Sequence, residues 1–325
     1  MKQFQSIQYL RAAAALGVVA FHTHMTGPLG QIGVDVFFVI SGFIMWLVIQ
    51  RESRPGDFLL RRVLRIWPLY AFATLVMAVH NSAPVHEVIK SLLFVPYRDA
   101  AGQAWPVLVQ GWTLNYEMFF YLVLALCLFL PKARQLPAMT GVMTLLVATG
   151  LILRPTGAVA ATFTGPLLLE FVAGLWLGWL AAAGRLPRTA VSLGLVALAV
   201  VGMALTRDFG GDERWRALIW GPSAVLLVAG ALGLEQGGRV RTWAPLLALG
   251  NASYSIYLFH PFVLKTVVRH AAFLPTPLVV LVVMAVCSAV GLVAYFVVEK
   301  PLTQLFHRLL KKGRRGGAVP AGSAS

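Results

Sequence analysis

An all-α, polytopic membrane protein, a bundle of about ten transmembrane helices, is the fold class this chain predicts, and three observations carry it. Hydrophobic residues make up 58% of the 325 and charged residues 12%, about half the charged share of a soluble domain. Apolar windows long enough to cross a hydrocarbon core recur at 7–25, 33–50, 64–80, 112–130, 138–153, 160–183, 188–205, 215–234, 249–270 and 277–298. If these alternate in direction, the connections on the side of both termini hold eighteen of the 27 Lys and Arg and those on the other side eight. The positive-inside rule then places both termini in the cytoplasm.

The formal net charge of +15 does not predict nucleic-acid binding, because the cations lie between apolar runs and form no basic stripe with exposed aromatics. Topology and an anionic bilayer surface account for it. Cys127 and Cys287 both sit inside apolar runs and read as small hydrophobes, implying neither a disulfide nor a metal. Arg11 interrupts the first apolar run and no small-residue cleavage site follows, so that run reads as a retained helix. The organisation expected is a transmembrane domain over 1–305 and a cytoplasmic tail over 306–325, basic and then Gly/Ala/Ser-rich, without fixed structure. The longest connection, 80–110, lies on the outer side and carries a short apolar stretch, Val88 to Val95 between prolines, that predicts a small interfacial helix or lid.

An ionisable group inside a span costs roughly 2.5 kcal/mol or more, so each marks a partner or a wet cavity. In the first span, Arg11 and His22 are eleven positions apart, close to three helical turns, which puts them on one face at depths separated by ~16 Å. His22 and His24, at i and i+2, diverge and make a poor metal pair. Asp35 opens the second span in GVDVFFVISGF, where two roles fit: a helix-entrance acid, or a carboxylate that orients His22. Arg61, Arg62 and Arg65 cluster on the first turns of the third span in FLLRRVLRIWPLY, an arrangement of guanidinium forks suited to phosphate. The fourth span begins QGWTLNYEMFFY, with Trp112, Thr113 and Tyr116 at the outer interface and Glu117 a turn deeper, facing the bundle. In LGNASYSIYLFHP, Asn251 precedes Ser253, Tyr257 and His260, and those three share a face at i, i+4 and i+7 as a polar seam. The last span ends VVEKP, where Glu299 reads as an interfacial partner of Lys300 and Pro301 as the helix stop. The charged loop 206–216 reads as a solvated outer loop.

Taken in order, Arg11 with ten residues before His22, GVDVFFVISGF, RRVLRIWPLY, WTLNYEMFFY, LGNASYSIYLFHP and the closing VEKP resemble the acyltransferase-3 family of integral membrane O-acyltransferases. The match runs from residue 11 to residue 301. The resemblance implies a ten-helix core in the cell inner (cytoplasmic) membrane that moves an acyl group, most often acetyl, from cytosolic acyl-CoA to a hydroxyl of an envelope or exported carbohydrate. It implies that Arg11 and His22 are the essential pair and that Arg62 and Arg65 hold coenzyme A phosphates. The family commonly has Ser after the tryptophan of the fourth-span motif, where this chain has Thr113.

Residues and resemblance together predict a route. Donor phosphates dock on Arg61, Arg62 and Arg65, the pantetheine arm passes Arg11, and the thioester approaches His22. His22 acts there as general base or as a nucleophile that forms an acyl-imidazole, with Asp35 or Glu117 fixing its tautomer. Trp112, Thr113, Tyr116, Asn251, Ser253, Tyr257 and His260 line the substrate path. The partners expected are acyl-CoA, a carbohydrate or lipid-linked sugar acceptor and the bilayer, with no metal and no nucleic acid. A transporter or flippase of a lipid-linked sugar, with the polar seam as permeation route, is the rival reading.

Overall fold

The computed structural model describes residues 4–51, 54–209 and 213–316, and these are helical or looped throughout, with no strand among them. The helices in chain order are α1 (Gln5–Phe21), α2 (Ile32–Ile49), α3 (Pro55–Asn81), α4 (Val85–Leu92), α5 (Gly111–Cys127), α6 (Lys132–Leu153), α7 (Ala158–Phe163), α8 (Leu168–Ala182), α9 (Thr189–Leu205), α10 (Glu213–Ile219), α11 (Gly221–Gln236), α12 (Ala244–Asn251), α13 (Ser253–His270), α14 (Thr276–Ala294) and α15 (Lys300–Gly316). Among the described residues, five helical stretches are long and apolar enough to cross a membrane: Pro28–Ile49, Pro55–Asn81, Lys132–Leu153, Ala158–Ala182 and Thr276–Phe306. The chain is a multi-pass membrane protein.

Every window expected to be helical falls on helix, but three are divided. Gly165-Pro166 separates α7 from α8, Gly221-Pro222 follows the break between α10 and α11, and Ala252 separates α12 from α13. At the first two a proline, which supplies no backbone N–H and restrains the residue before it, accounts for the division; no proline stands at the third. Pro68, Pro137 and Pro261 by contrast lie inside α3, α6 and α13, where neighbouring groups can re-satisfy the carbonyl each one frees.

The bundle is organised on α2. Its apolar window is 78% buried, against 22% for α6 and 28% for the stretch that includes α14, so α2 is the axis and the other two form the lipid-facing wall. The burial follows from small residues. A side chain at Gly42 would meet the Phe171 backbone carbonyl and one at Gly174 would meet that of Val39, so α2 and α8 touch backbone to backbone as membrane helices do where glycines face each other. Phe38 then stacks on Phe171 with ring centroids 4.5 Å apart, and Phe120 of α5 lies 4.6 Å from the same ring.

Two expectations at the C-terminal end are corrected. Pro301 does not stop the last span: Tyr295–Glu299 form a π-helical turn and α15 follows directly. Pro301 lies inside the continuous helical stretch Thr276–Phe306, just after the π turn, where it removes one N–H from the helical ladder without ending the helix. The boundary expected at 305/306 therefore falls inside a helix, while 317–325 lie outside the described residues, as do Lys2 and Asp212. Glu299 is not an interfacial partner of Lys300; it is 2% exposed and turned inward. The connection over 80–110 contains the short helix expected there, α4, with the Trp67 indole N–H donating to the Leu92 carbonyl at 3.0 Å and Phe94 stacked on Tyr70.

Candidate active site

Helices α1, α2, α3, α5 and α13 line a cavity of about 220 Å³. Its polar lining comprises Arg11, Ser41, Arg62, Arg65, Thr113, Glu117, Tyr121, Ser253, Tyr254 and Tyr257, and Phe37, Ile44 and Met45 are among its apolar walls. Five sequence motifs far apart in the chain thus meet around one space.

At the end where α3 begins, three guanidinium groups have different fates. Arg65 donates to Glu299 Oε1 at 2.5 Å, and Ser255 donates to the other carboxylate oxygen at 2.5 Å. The charge of Arg65 is thereby cancelled within the protein. Arg62 keeps its Nε buried with no hydrogen-bond partner, and Arg11 makes no side-chain hydrogen bond among the described residues while lying within Coulombic reach of Glu117 and Glu299. Arg61 is not part of the cavity lining. A desolvated, unpaired guanidinium is costly in a membrane interior. Arg11 and Arg62 are the cations in the cavity best placed to receive an anion.

Midway, Glu117 Oε1 accepts hydrogen bonds from Ser41 at 2.8 Å and from Tyr121. At the opposite end, Thr113 Oγ1 and Tyr257 Oη are 3.1 Å apart and both donate to the Gln110 carbonyl, at 3.0 and 3.2 Å. The Gln110 side-chain amide lies 3.4 Å from His260 Nε2, and the His260 ring centroid is 4.9 Å from that of His22. A polar route therefore leads from the cavity to His22, although His22 is not in the cavity lining itself.

Local backbone chemistry sets both histidine tautomers. Pro261 has no N–H to give the carbonyl four residues back, and that freed carbonyl, Tyr257 O, accepts the His260 Nδ1–H at 2.8 Å. His22 follows the last residue of α1, and the Val18 carbonyl, which accepts its backbone N–H at 3.1 Å, also accepts its Nδ1–H at 2.8 Å. The lone pair of His22 then resides on Nε2, available to a hydroxyl.

Neither acid expected to orient His22 does so. Asp35 is 0% exposed and paired with Arg216, which is 3% exposed: Nε lies 3.1 and 3.2 Å from the two carboxylate oxygens and Nη2 donates to Oδ2 at 2.8 Å. Nη2 also donates to the Gln31 carbonyl at 2.6 Å, and the guanidinium lies over the rings of Trp112 and Trp220. The loop expected to be solvated thus delivers a core residue, while its Arg207–Asp208 pair is indeed exposed. Glu170 is buried beside this group with neither carboxyl oxygen hydrogen-bonded.

Of the other expected path residues, Ser253, Thr113 and Tyr257 line the cavity, and Trp112 and Tyr116 pack around Phe38. Asn251, the last residue of α12, does not line it. The sequence reading passed over Glu170, placed Arg216 in a solvated loop and paired Glu299 with Lys300. The signal for Glu170 was present: it is a lone carboxylate in an apolar run, the feature that singled out Glu117. Among the described residues no group of three or more His, Cys, Asp and Glu is arranged to hold a metal.

Comparison with known proteins places this arrangement. No solved structure matches the chain. The exopolysaccharide production protein ExoZ of Rhizobium meliloti (strain 1021) is 42% identical over 300 residues, covering 88% of this chain and 91% of that one. The acyltransferase MdmB of Streptomyces mycarofaciens is 27% identical, covering 93% and 92%. The peptidoglycan O-acetyltransferase OatA of Listeria monocytogenes is 31% identical over 147 residues, 38% of this chain and 24% of that one. The acyltransferase domain that defines the acyltransferase-3 family matches residues 4–297, and the chain belongs to that family of membrane acyltransferases.

Proposed function

We propose that this protein transfers an acyl group, most simply acetyl, from cytosolic acyl-CoA to a hydroxyl of a cell-envelope or exported carbohydrate, in a ten-span inner-membrane bundle with both termini cytoplasmic. The observation that carries the reading is the cavity with two unlike ends: Arg11 and Arg62 unpaired at one, and hydroxyls leading to the free Nε2 of His22 at the other. Arg62, with Arg61 and Arg65 beside it, receives the donor's phosphates, and Arg11 stands where the thioester arm enters. His22 Nε2 takes the proton of the acceptor hydroxyl as general base. A carbohydrate acceptor is supported by the name of the exopolysaccharide production protein to which the chain is similar over nearly its whole length. The transporter reading has no support from the family or the relatives.

The test is acyl content of envelope and exported glycans by mass spectrometry, from cells with the wild-type protein, with His22→Ala and with Arg11→Ala. Loss of the acyl group in both variants, each inserted at wild-type level, is expected. Full acylation by an inserted His22→Ala protein overturns the assignment.

A further inference from the structure

Hydroxyls inside the apolar helices mostly close on their own helix. Thr140 and Thr149 donate to the carbonyl four residues back at 2.9 and 2.8 Å, the common fate of a hydroxyl in a helix interior. Ser41, in the middle of α2, does otherwise. Its Oγ donates across the cavity wall to Glu117 Oε1 at 2.8 Å and lies 3.3 Å from Tyr121 Oη. Ser255 also donates to a carboxylate, but Glu299 is already neutralised by Arg65, and Ser255 does not line the cavity. Ser41 is half-buried and shares the lining with Arg11 and Arg62. A hydroxyl bound to a carboxylate base, with cations on the same walls to meet an oxyanion, is the constellation of an activated nucleophile.

We propose that Ser41 carries the acyl group between donor and acceptor as an oxygen ester, with Glu117 as its base, a step that rests on the acyl-transfer reading above. In loading, Ser41 Oγ bonds to the thioester carbonyl carbon, its proton passes to Glu117 Oε1, and the C–S bond breaks. The thiolate leaves toward the α3 end and takes a proton from cytosolic water. In unloading, the acceptor oxygen bonds to the acyl carbon and gives its proton to His22 Nε2, which then releases it to water and so balances the proton taken by the thiolate. The Oγ–C bond breaks and Glu117 returns the first proton to Ser41. An alkyl ester suits such a station: it lies below a thioester in energy and level with the sugar ester that follows. Tyr121, the other donor to Glu117, would give a higher-energy aryl ester.

The experiment is single-turnover labelling. Purified wild-type protein in lipid nanodiscs is mixed with isotope-labelled acetyl-CoA and no acceptor, quenched in acid, digested and read by mass spectrometry. The label is expected on the peptide containing Ser41, stable to neutral hydroxylamine as an oxygen ester is and an acyl-imidazole is not. Glu117→Gln should load ~10²-fold more slowly or worse, the usual contribution of a general base. Ser41→Cys guards against a misfolded Ser41→Ala, because a loaded Cys gives a thioester that hydroxylamine cleaves. Label on His22 or Tyr121, or wild-type transfer rates in Ser41→Ala, overturns the proposal and leaves the proposed function standing. A wild-type protein that transfers acetyl to acceptor without ever showing the ester overturns it as well. Failure of the wild type to use any acyl-CoA, with acceptor present, refutes the proposed function and this step together.

Discussion

Asp35→Asn removes one charge from a pair that water does not reach on either side, Asp35 at 0% and Arg216 at 3% exposure. The guanidinium would keep the Gln31 carbonyl at 2.6 Å but lose the carboxylate it is hydrogen-bonded to, with only the unbonded Glu170 carboxyl left beside it in a low-dielectric interior. Stranding one partner of such a pair costs about 3–5 kcal/mol, a shift of roughly two to three and a half orders of magnitude in the folded fraction. At roughly 2–4 °C per kcal/mol for a chain of 150–250 residues, and less for a longer one, Tm should fall by about 5–10 °C. Thermal scanning of detergent-solubilised protein with size-exclusion detection reads this directly. The decisive companion is Asp35→Leu with Arg216→Met, which removes both charges and should sit within about 1 kcal/mol of wild type, since apolar replacement of a whole buried pair is often neutral or favourable. An unshifted Tm in Asp35→Asn, or a double variant no more stable than the single, would refute the reasoning. Restored folding with restored acylation assigns the pair to architecture; restored folding without acylation returns Asp35 to the chemistry.

Three further outcomes follow from the same geometry. Arg62→Ala should raise the KM for acyl-CoA about tenfold with kcat held, because a phosphate contact is uniform binding worth ~1.4 kcal/mol; steady-state kinetics in nanodiscs check it, and a change in kcat alone would contradict it. Arg65→Ala should instead lower the yield of folded protein, because it strands the buried Glu299 carboxylate at about 3–5 kcal/mol, and Arg65→Ala with Glu299→Ala should recover most of that yield in size-exclusion traces. Gly42→Ala should abolish the folded monodisperse peak, because the added methyl meets the Phe171 carbonyl and α2 cannot move off α8 without opening the bundle core.

Much of the helix inventory was legible because apolar length and proline position act locally. The windows at 33–50 and 188–205 correspond to α2 and α9 nearly end to end. Glu117 and the Ser253/Tyr257 face were legible for a different reason: a polar group in a span has nowhere to go except inward, and both do line the cavity. Pairing was not legible, because it depends on how helices distant in sequence are rotated against each other. Asp35 and Arg216 are separated by 181 positions and Arg65 and Glu299 by 234, so periodicity within any one segment carries no information about either partner. The tautomer of His22 was misassigned to an acid for a related reason. A backbone carbonyl at a helix end is as good an acceptor, and sequence inspection attends to side chains.

The π-helical turn at Tyr295–Glu299 acts as a phase shift between two periodic elements. A π turn accommodates one residue more than an α turn, and one residue corresponds to about 100° of rotation about the axis. The span before it and the helix after it are thereby released from a common angular register. α14 can present its apolar residues to lipid while Glu299, only five positions later, points at Arg65. Losing a single residue from the turn would re-lock the two registers and swing that carboxylate around the helix by about a quarter of a turn, emptying the ion pair while leaving both helices intact.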